Sequence, residues 1–294
     1  MRSDDDFTER LESRTAERRA GISLFRARNV PAVQPAATPP SPGLMEVYSP
    51  PPQPPHRPEK VWESLSPARL DPAFLAGNGL FPEPGQHAVT SQFDMLRTRL
   101  LQAMQERGWS RIAVTSPTHG CGKSLVAANL ALSLARVPSC RTVLLDLELR
   151  HPDLARLLGQ QAGPLREVLS GDQPLESHLR RVGPNLALAL NGEAVANPAE
   201  TLLAPQTAET LRAVVDHLAP SIVVLDLPPA LGSDDVISVL PQVDAVLLVA
   251  DATRTTAEDI RSCERLFEGR TTLMGVILNR AQERSLRRYR YGKK

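Results

Sequence analysis

The sequence predicts an α/β fold, a parallel sheet with helices on both faces, on three observations. Six short apolar, β-branched runs recur at 112–115, 143–147, 186–190, 222–227, 245–250 and 274–278. Helical patterns fall between most of them, clearest at 208–218 and 257–267. The first run leads through a loop carrying Gly120 and Gly122 directly into an Ala/Leu-rich helix. Alternation of this kind implies a sheet buried on both faces, with ligands at the carboxyl ends of its strands.

Taken in order, residues 1–85 read unlike the rest. They hold fifteen of the 27 prolines, including the run PPPQPPHRP. Proline lacks an N–H and fixes φ, so this arm is expected to be a disordered or polyproline-type tether. Within it, residues 4–20 open on Asp4, Asp5 and Asp6 and suit a short charged helix, either merely solvated or docking a partner. From 89 to 107 Phe93, Leu96, Leu100 and Met104 recur at spacings of three and four, and Gly108 ends the helix. The alternating domain spans 86–283. The remaining residues, 284–294, form a basic tail with Tyr289 and Tyr291 among Arg284, Arg287, Arg288, Arg290, Lys293 and Lys294.

The chemistry concentrates at the first strand–loop–helix unit. Gly120 and Gly122 let backbone approach a phosphate, Lys123 supplies a point charge, and Ser124 suits a Mg²⁺ ion. The pattern is that of a phosphate loop with Pro117 in place of the first glycine, and the fold class becomes P-loop NTPase-type α/β. Asp146 and Asp226 each end an apolar run, where a carboxylate beside such a loop can hold Mg²⁺ or orient a nucleophile, or simply cap the next turn. Glu148, two residues on, projects to the same side as Asp146 if the strand continues.

These stretches, SPTHGCGKS, VLLDLELRHP, LDLPP and GVILNR, resemble the bacterial tyrosine kinases of capsule and exopolysaccharide synthesis. That family is a branch of the deviant P-loop ATPases that also holds the septum-site and chromosome-partition ATPases. The resemblance runs from about Gln92 to Arg280 and includes FDMLRTRL and NPAETLL. It implies an ATP-dependent tyrosine autokinase, with ATP and Mg²⁺ as cofactors. The nucleotide would contact His119, Gly120, Cys121, Gly122, Lys123, Ser124 and Leu125, with Arg150 from the acidic motif and Asn279 and Arg280 at adenine. Lys123, Asp146, Glu148 and Asp226 would be catalytic; Ser124, Asp146 and Asp226 would hold the metal; Tyr289 and Tyr291 would accept phosphate.

The resemblance also implies a membrane-bound co-polymerase as activator and a homo-oligomer formed on nucleotide binding. The lead helix of the family carries three assembly positions, which here read Ser91, Asp94 and Arg97, with only the last kept. Two other readings stay open: a nucleotide-sensing scaffold of the same machinery, and a partition or positioning ATPase. The extra lysine of the partition enzymes is replaced by Thr118.

The totals narrow the classes. Net charge is +1, so no nucleic-acid partner is expected. Cys121, Cys140 and Cys263 make no metal spacing and suit a reducing cytoplasm. No apolar run approaches a membrane span, and the first residues do not read as a signal peptide, so any membrane location would come through a partner.

Overall fold

The structure, a computed structural model, describes residues 57–85 and 88–281. The helix expected at 4–20 and the tail tyrosines Tyr289 and Tyr291 lie outside the described residues. Among the described residues eight strands form one sheet: β1 (Ser66–Pro67), β2 (Arg111–Thr115), β3 (Thr142–Asp146), β4 (Arg180–Val182), β5 (Leu186–Ala189), β6 (Ile222–Asp226), β7 (Ala245–Asp251) and β8 (Thr272–Asn279). Their order is β1-β4-β5-β3-β6-β2-β7-β8. Neighbours run parallel except β4 against β5.

The continuous apolar runs have a simple cause. Val143, Leu145, Val223 and Leu225 pack into the core on one face, while Leu144, Val224 and Val114 pack into the core on the other. A strand covered on both sides has no solvent face and needs no polar alternation. All six expected runs are strands. The short β4 carries Arg180-Arg181-Val182 and so had no apolar signature; it is defined by its antiparallel pairing with β5.

Helices cover both faces. The segment expected at 89–107 is α3 (Ala88–Arg107), with Leu100 and Met104 buried. The glycine loop leads into α4 (Lys123–Ala135), almost wholly buried. Later come α5 (Pro205–Leu218), α6 (Asp235–Val239) and α7 (Ala257–Phe267). The start of α7 is fixed by a capping box in which Thr256 and Asp259 satisfy each other's backbone N–H groups.

One expectation needs correction. The last part of the proline-rich arm is folded: residues 58–64 and 72–77 are helices, with β1 between them. The prolines do not prevent this because of where they fall. Pro58 and Pro72 open their helices, where the missing N–H would have had no partner anyway, and Pro67 lies on the edge strand. Leu75 and Leu80 are fully buried, and the Trp62 indole N–H donates to the Pro184 carbonyl at 2.8 Å. Asn129 of α4 ties the segment down, its Nδ2 donating to Gly79 O at 3.0 Å and its Oδ1 accepting from Phe81 N at 3.1 Å.

If this segment belongs to the core, Leu75→Ala should lower stability by about 2–5 kcal/mol, the usual loss for a buried leucine. Urea denaturation measures it. An unchanged midpoint would mean that the segment contributes nothing to the fold.

Candidate functional site

The site is built at the carboxyl ends of adjacent strands. β2 ends at Thr115, whose hydroxyl donates to Pro228 O at 2.5 Å, joining the start of the loop to the segment after β6. Gly120 and Gly122 take left-handed φ of 77° and 88°. At Gly122 a side chain would also collide with the Asn279 amide. Pro117 stands where the motif's first glycine belongs, and its carbonyl accepts from Leu231 N at 3.1 Å.

Below the loop, Lys123, Ser124, Asp146, Glu148 and Asp226 come together. Parallel register sets Asp146 beside Asp226, and Asp226 beside Val114 of the loop strand. The Lys123 ammonium lies 3.1 Å from Glu148 Oε2, 3.4 Å from Asp226 Oδ1 and 3.2 Å from Ser124 Oγ. Asp146 and Asp226 are wholly buried, and Glu148 is nearly so.

Burial disfavours charge on each of these groups, and the neighbours decide the balance. Burial pulls the Lys123 ammonium down, but attraction from Asp226 and then Glu148 outweighs it and leaves its pKa raised. The Asp146 carboxyl is pushed well above the ordinary range, first by burial and then by repulsion from Asp226. Asp226 is raised as well, by burial, although Lys123 works against the shift.

This chemistry fits a divalent cation. Asp146 Oδ2 and Asp226 Oδ2 are buried with no hydrogen-bond partner, and three carboxylates face one ammonium. Among the described residues no group of three His, Cys, Asp or Glu side chains is set to hold a metal alone. Mg²⁺ keeps waters and takes only one or two carboxylates along with phosphate oxygens, which the two unpartnered aspartate oxygens match.

The remaining expected residues lie around this centre. The Arg150 guanidinium is committed to Asp235, with Nε to Oδ2 at 2.6 Å and Nη2 to Oδ1 at 3.0 Å. Asp235, fully buried at the start of α6, also accepts from Ser233 Oγ. Sequence reasoning missed Asp235, because an acidic residue opening a helix ordinarily faces water. His119 is exposed on the loop and meets His151 edge-on, the ring centroids 5.6 Å apart. Cys121 is buried, and Leu125 lies against Gly79. Asn279 and Arg280 stand at the end of β8, Asn279 touching the loop. On α3, Asp94 pairs with Arg97 and Arg136, and Arg97 donates to Ser133 O at 3.0 Å, so both side chains are engaged within one chain.

Two outcomes follow from the buried charges. Asp146 is protonated in both states below about pH 4. As pH rises further, the unfolded chain releases that proton first, so stability is lost until the pH passes the raised folded value. Without Mg²⁺ and nucleotide, Asp146→Asn should therefore melt a few degrees above wild type at pH 7, with the gap closing toward pH 4; calorimetry in chelator checks it. Arg150→Ala strands the buried Asp235 charge. Denaturant titration should read a loss of about 2–3 kcal/mol, under the 3–5 of a fully enclosed pair because Arg150 is 39% exposed.

Comparison with known proteins agrees with this geometry. A family model for ParA proteins, described as a NUBPL iron-transfer P-loop NTPase, matches residues 109–285. EpsB of Ralstonia nicotianae, which carries the name of a tyrosine-protein kinase, is 35% identical over 203 residues, 67% of this chain and 26% of EpsB. The chain thus spans about a quarter of that relative's length. The kinase domain of the Escherichia coli tyrosine kinase ETK superposes with a TM-score of 0.62 at 26% identity, covering 75% of this chain and 84% of that domain. The VpsO kinase domain gives a TM-score of 0.58 at 28% identity, covering 66% of this chain and 96% of that one. The chain belongs to the ParA family of P-loop NTPases, on the side of that family where its similarity runs to the kinase domains of bacterial tyrosine kinases.

Proposed function

We propose that this chain is a protein-tyrosine kinase, transferring the γ-phosphoryl group of ATP to tyrosine hydroxyls in an exopolysaccharide or capsule system. One observation carries the reading: a glycine loop, its lysine and three buried carboxylates converge at the end of one sheet. Lys123 and the loop N–H groups would hold the β- and γ-phosphates. Ser124, Asp146 and Asp226 would hold Mg²⁺, which supplies charge neutralisation on the phosphate oxygens.

Asp146 suits the second task. Its Oδ2, buried with no hydrogen-bond partner, would be the atom that accepts the tyrosine proton. The freed phenolate oxygen bonds to the γ-phosphorus as the bond to the bridging oxygen breaks, and ADP leaves. Glu148 holds Lys123 at 3.1 Å, keeping the ammonium aimed beneath the loop. Transfer of this kind rests mainly on positioning and charge.

The acceptors in this reading are Tyr289 and Tyr291, in a neighbouring copy within a nucleotide-dependent oligomer. A membrane co-polymerase would activate the chain and recruit it to the inner face of the membrane. Among the described residues no helix is long and apolar enough to cross a membrane.

The reach of the Glu148 side chain favours a second reading. It brings Oε2 onto the phosphate lysine itself, as would suit a scaffold that binds nucleotide with little turnover. Incubation with Mg·ATP followed by phosphotyrosine mass spectrometry separates the two. The kinase reading expects label on wild type and at least about 10²-fold less on Lys123→Met. ATP binding without label, even with the membrane partner present, would leave the scaffold.

A further inference from the structure

A loop can present N–H groups to phosphate only if its carbonyls are turned away and satisfied elsewhere. Here the carbonyls of Ser116 and Pro117 accept from Ala230 N and Leu231 N, that of Thr118 from Ser116 Oγ, and that of Gly122 from Val126 N. Two further loop carbonyls are held from the ends of β7 and β8. Arg254 Nη2 donates to Gly120 O at 3.2 Å, and Asn279 Nδ2 donates to Cys121 O at 2.9 Å.

Asp251 anchors Arg254 directly and Asn279 through Arg280. Asp251 ends β7 fully buried, and its Oδ1 accepts from Thr253 N at 2.9 Å and Thr253 Oγ1 at 2.6 Å. Its Oδ2 accepts from Arg254 Nε at 3.2 Å and Arg280 Nη1 at 2.7 Å. Strand register sets Asn279 directly beside Asp251. The Asn279 amide cannot turn freely, because its Oδ1 accepts from Arg280 N at 2.9 Å, which directs Nδ2 toward the loop. The bonds to Thr253 and the two guanidinium groups hold the Asp251 carboxyl far below the usual range, so this anchor stays charged.

The consequence follows from peptide geometry. In a planar trans peptide the carbonyl of one residue and the N–H of the next point in opposite directions. Holding Gly120 O therefore aims the Cys121 N–H away from Arg254, and holding Cys121 O aims the Gly122 N–H away from Asn279. Glycine at 122 leaves room for the second bond, since any side chain there would collide with the Asn279 amide.

We propose that Arg254 and Asn279, anchored on Asp251, are positioning residues of the phosphate loop that govern polyphosphate binding itself, beyond any contact of Asn279 with the base. The inference rests on the reading that this loop holds the phosphates of a nucleotide. Its mark is a ligand without a base. A residue that touches only adenine leaves tripolyphosphate binding unchanged, whereas a residue that aims the loop does not.

The test is calorimetric titration of the full chain with Mg·ATP and with Mg·tripolyphosphate. Arg254→Ala and Asn279→Ala should each weaken both ligands by a similar factor, about tenfold or more for a lost charge-assisted or buried bond. Arg254→Lys, able to reach only one of the two acceptors, should fall between. Asn279→Asp keeps size and the acceptor for Arg280 N but removes the donor, so it should weaken tripolyphosphate even where its melting temperature matches wild type. Loss of ATP affinity alone, or no loss for either ligand, overturns the inference. Wild type that binds neither ligand overturns the nucleotide reading itself.

Discussion

Asp146 and Asp226 lie side by side at the ends of paired strands, Glu148 is nearly as buried, and the Lys123 ammonium faces the group. A buried charge is tolerated only when paired or bonded, and here two carboxylate oxygens have no partner. Such an arrangement opposes folding and is held in place by the rest of the molecule. The apolar layers on both faces of the sheet supply that hold, since Leu144, Leu145, Val224 and Leu225 flank the two aspartates and are almost wholly buried. In the proposed function that strain would be resolved by a cation for the carboxylates and an anion for the lysine and loop. Stability and ligand chemistry are thus opposed within a few residues, as expected where function is concentrated.

The same logic explains how the surrounding loops are fastened. Each segment leaving the carboxyl ends of the strands is tied to another. Thr115 and the carbonyls of Ser116 and Pro117 join the phosphate loop to the segment after β6. Arg150 joins the acidic loop after β3 to Asp235 at the start of α6. Arg254 and Asn279 join the phosphate loop to the ends of β7 and β8. These ties are hydrogen bonds to fixed carbonyls or two-pronged ion pairs, which set direction as well as distance. A site that works by positioning needs that rigidity more than it needs additional reactive groups.

The folded segment before α3 adds a further constraint. It contributes an edge strand beside β4 and reaches α4 through Asn129, so the helix that begins at Lys123 is braced from its outer face as well as from the sheet. On α3, Arg97 is engaged with Asp94 and Ser133 within one chain.

Much of this was legible in the residues alone. Continuous apolar runs marked the six long strands because both faces are buried, and Gly120, Gly122, Lys123 and Ser124 announced a phosphate loop because few other backbones need that combination. Strand-end position also put Asp146 and Asp226 on one rim, since parallel register carries equivalent ends to the same edge. The folded prolines of 57–85, the strand made of two arginines and a valine, and the partnerships Arg150–Asp235 and Asn279–Cys121 were not legible. Each depends on contacts between residues far apart in sequence, 85 positions for Arg150 and Asp235 and 158 for Asn279 and Cys121. Local pattern records what a residue prefers. Only the closed tertiary structure decides which distant carbonyl or carboxylate satisfies it, because that choice is made by packing.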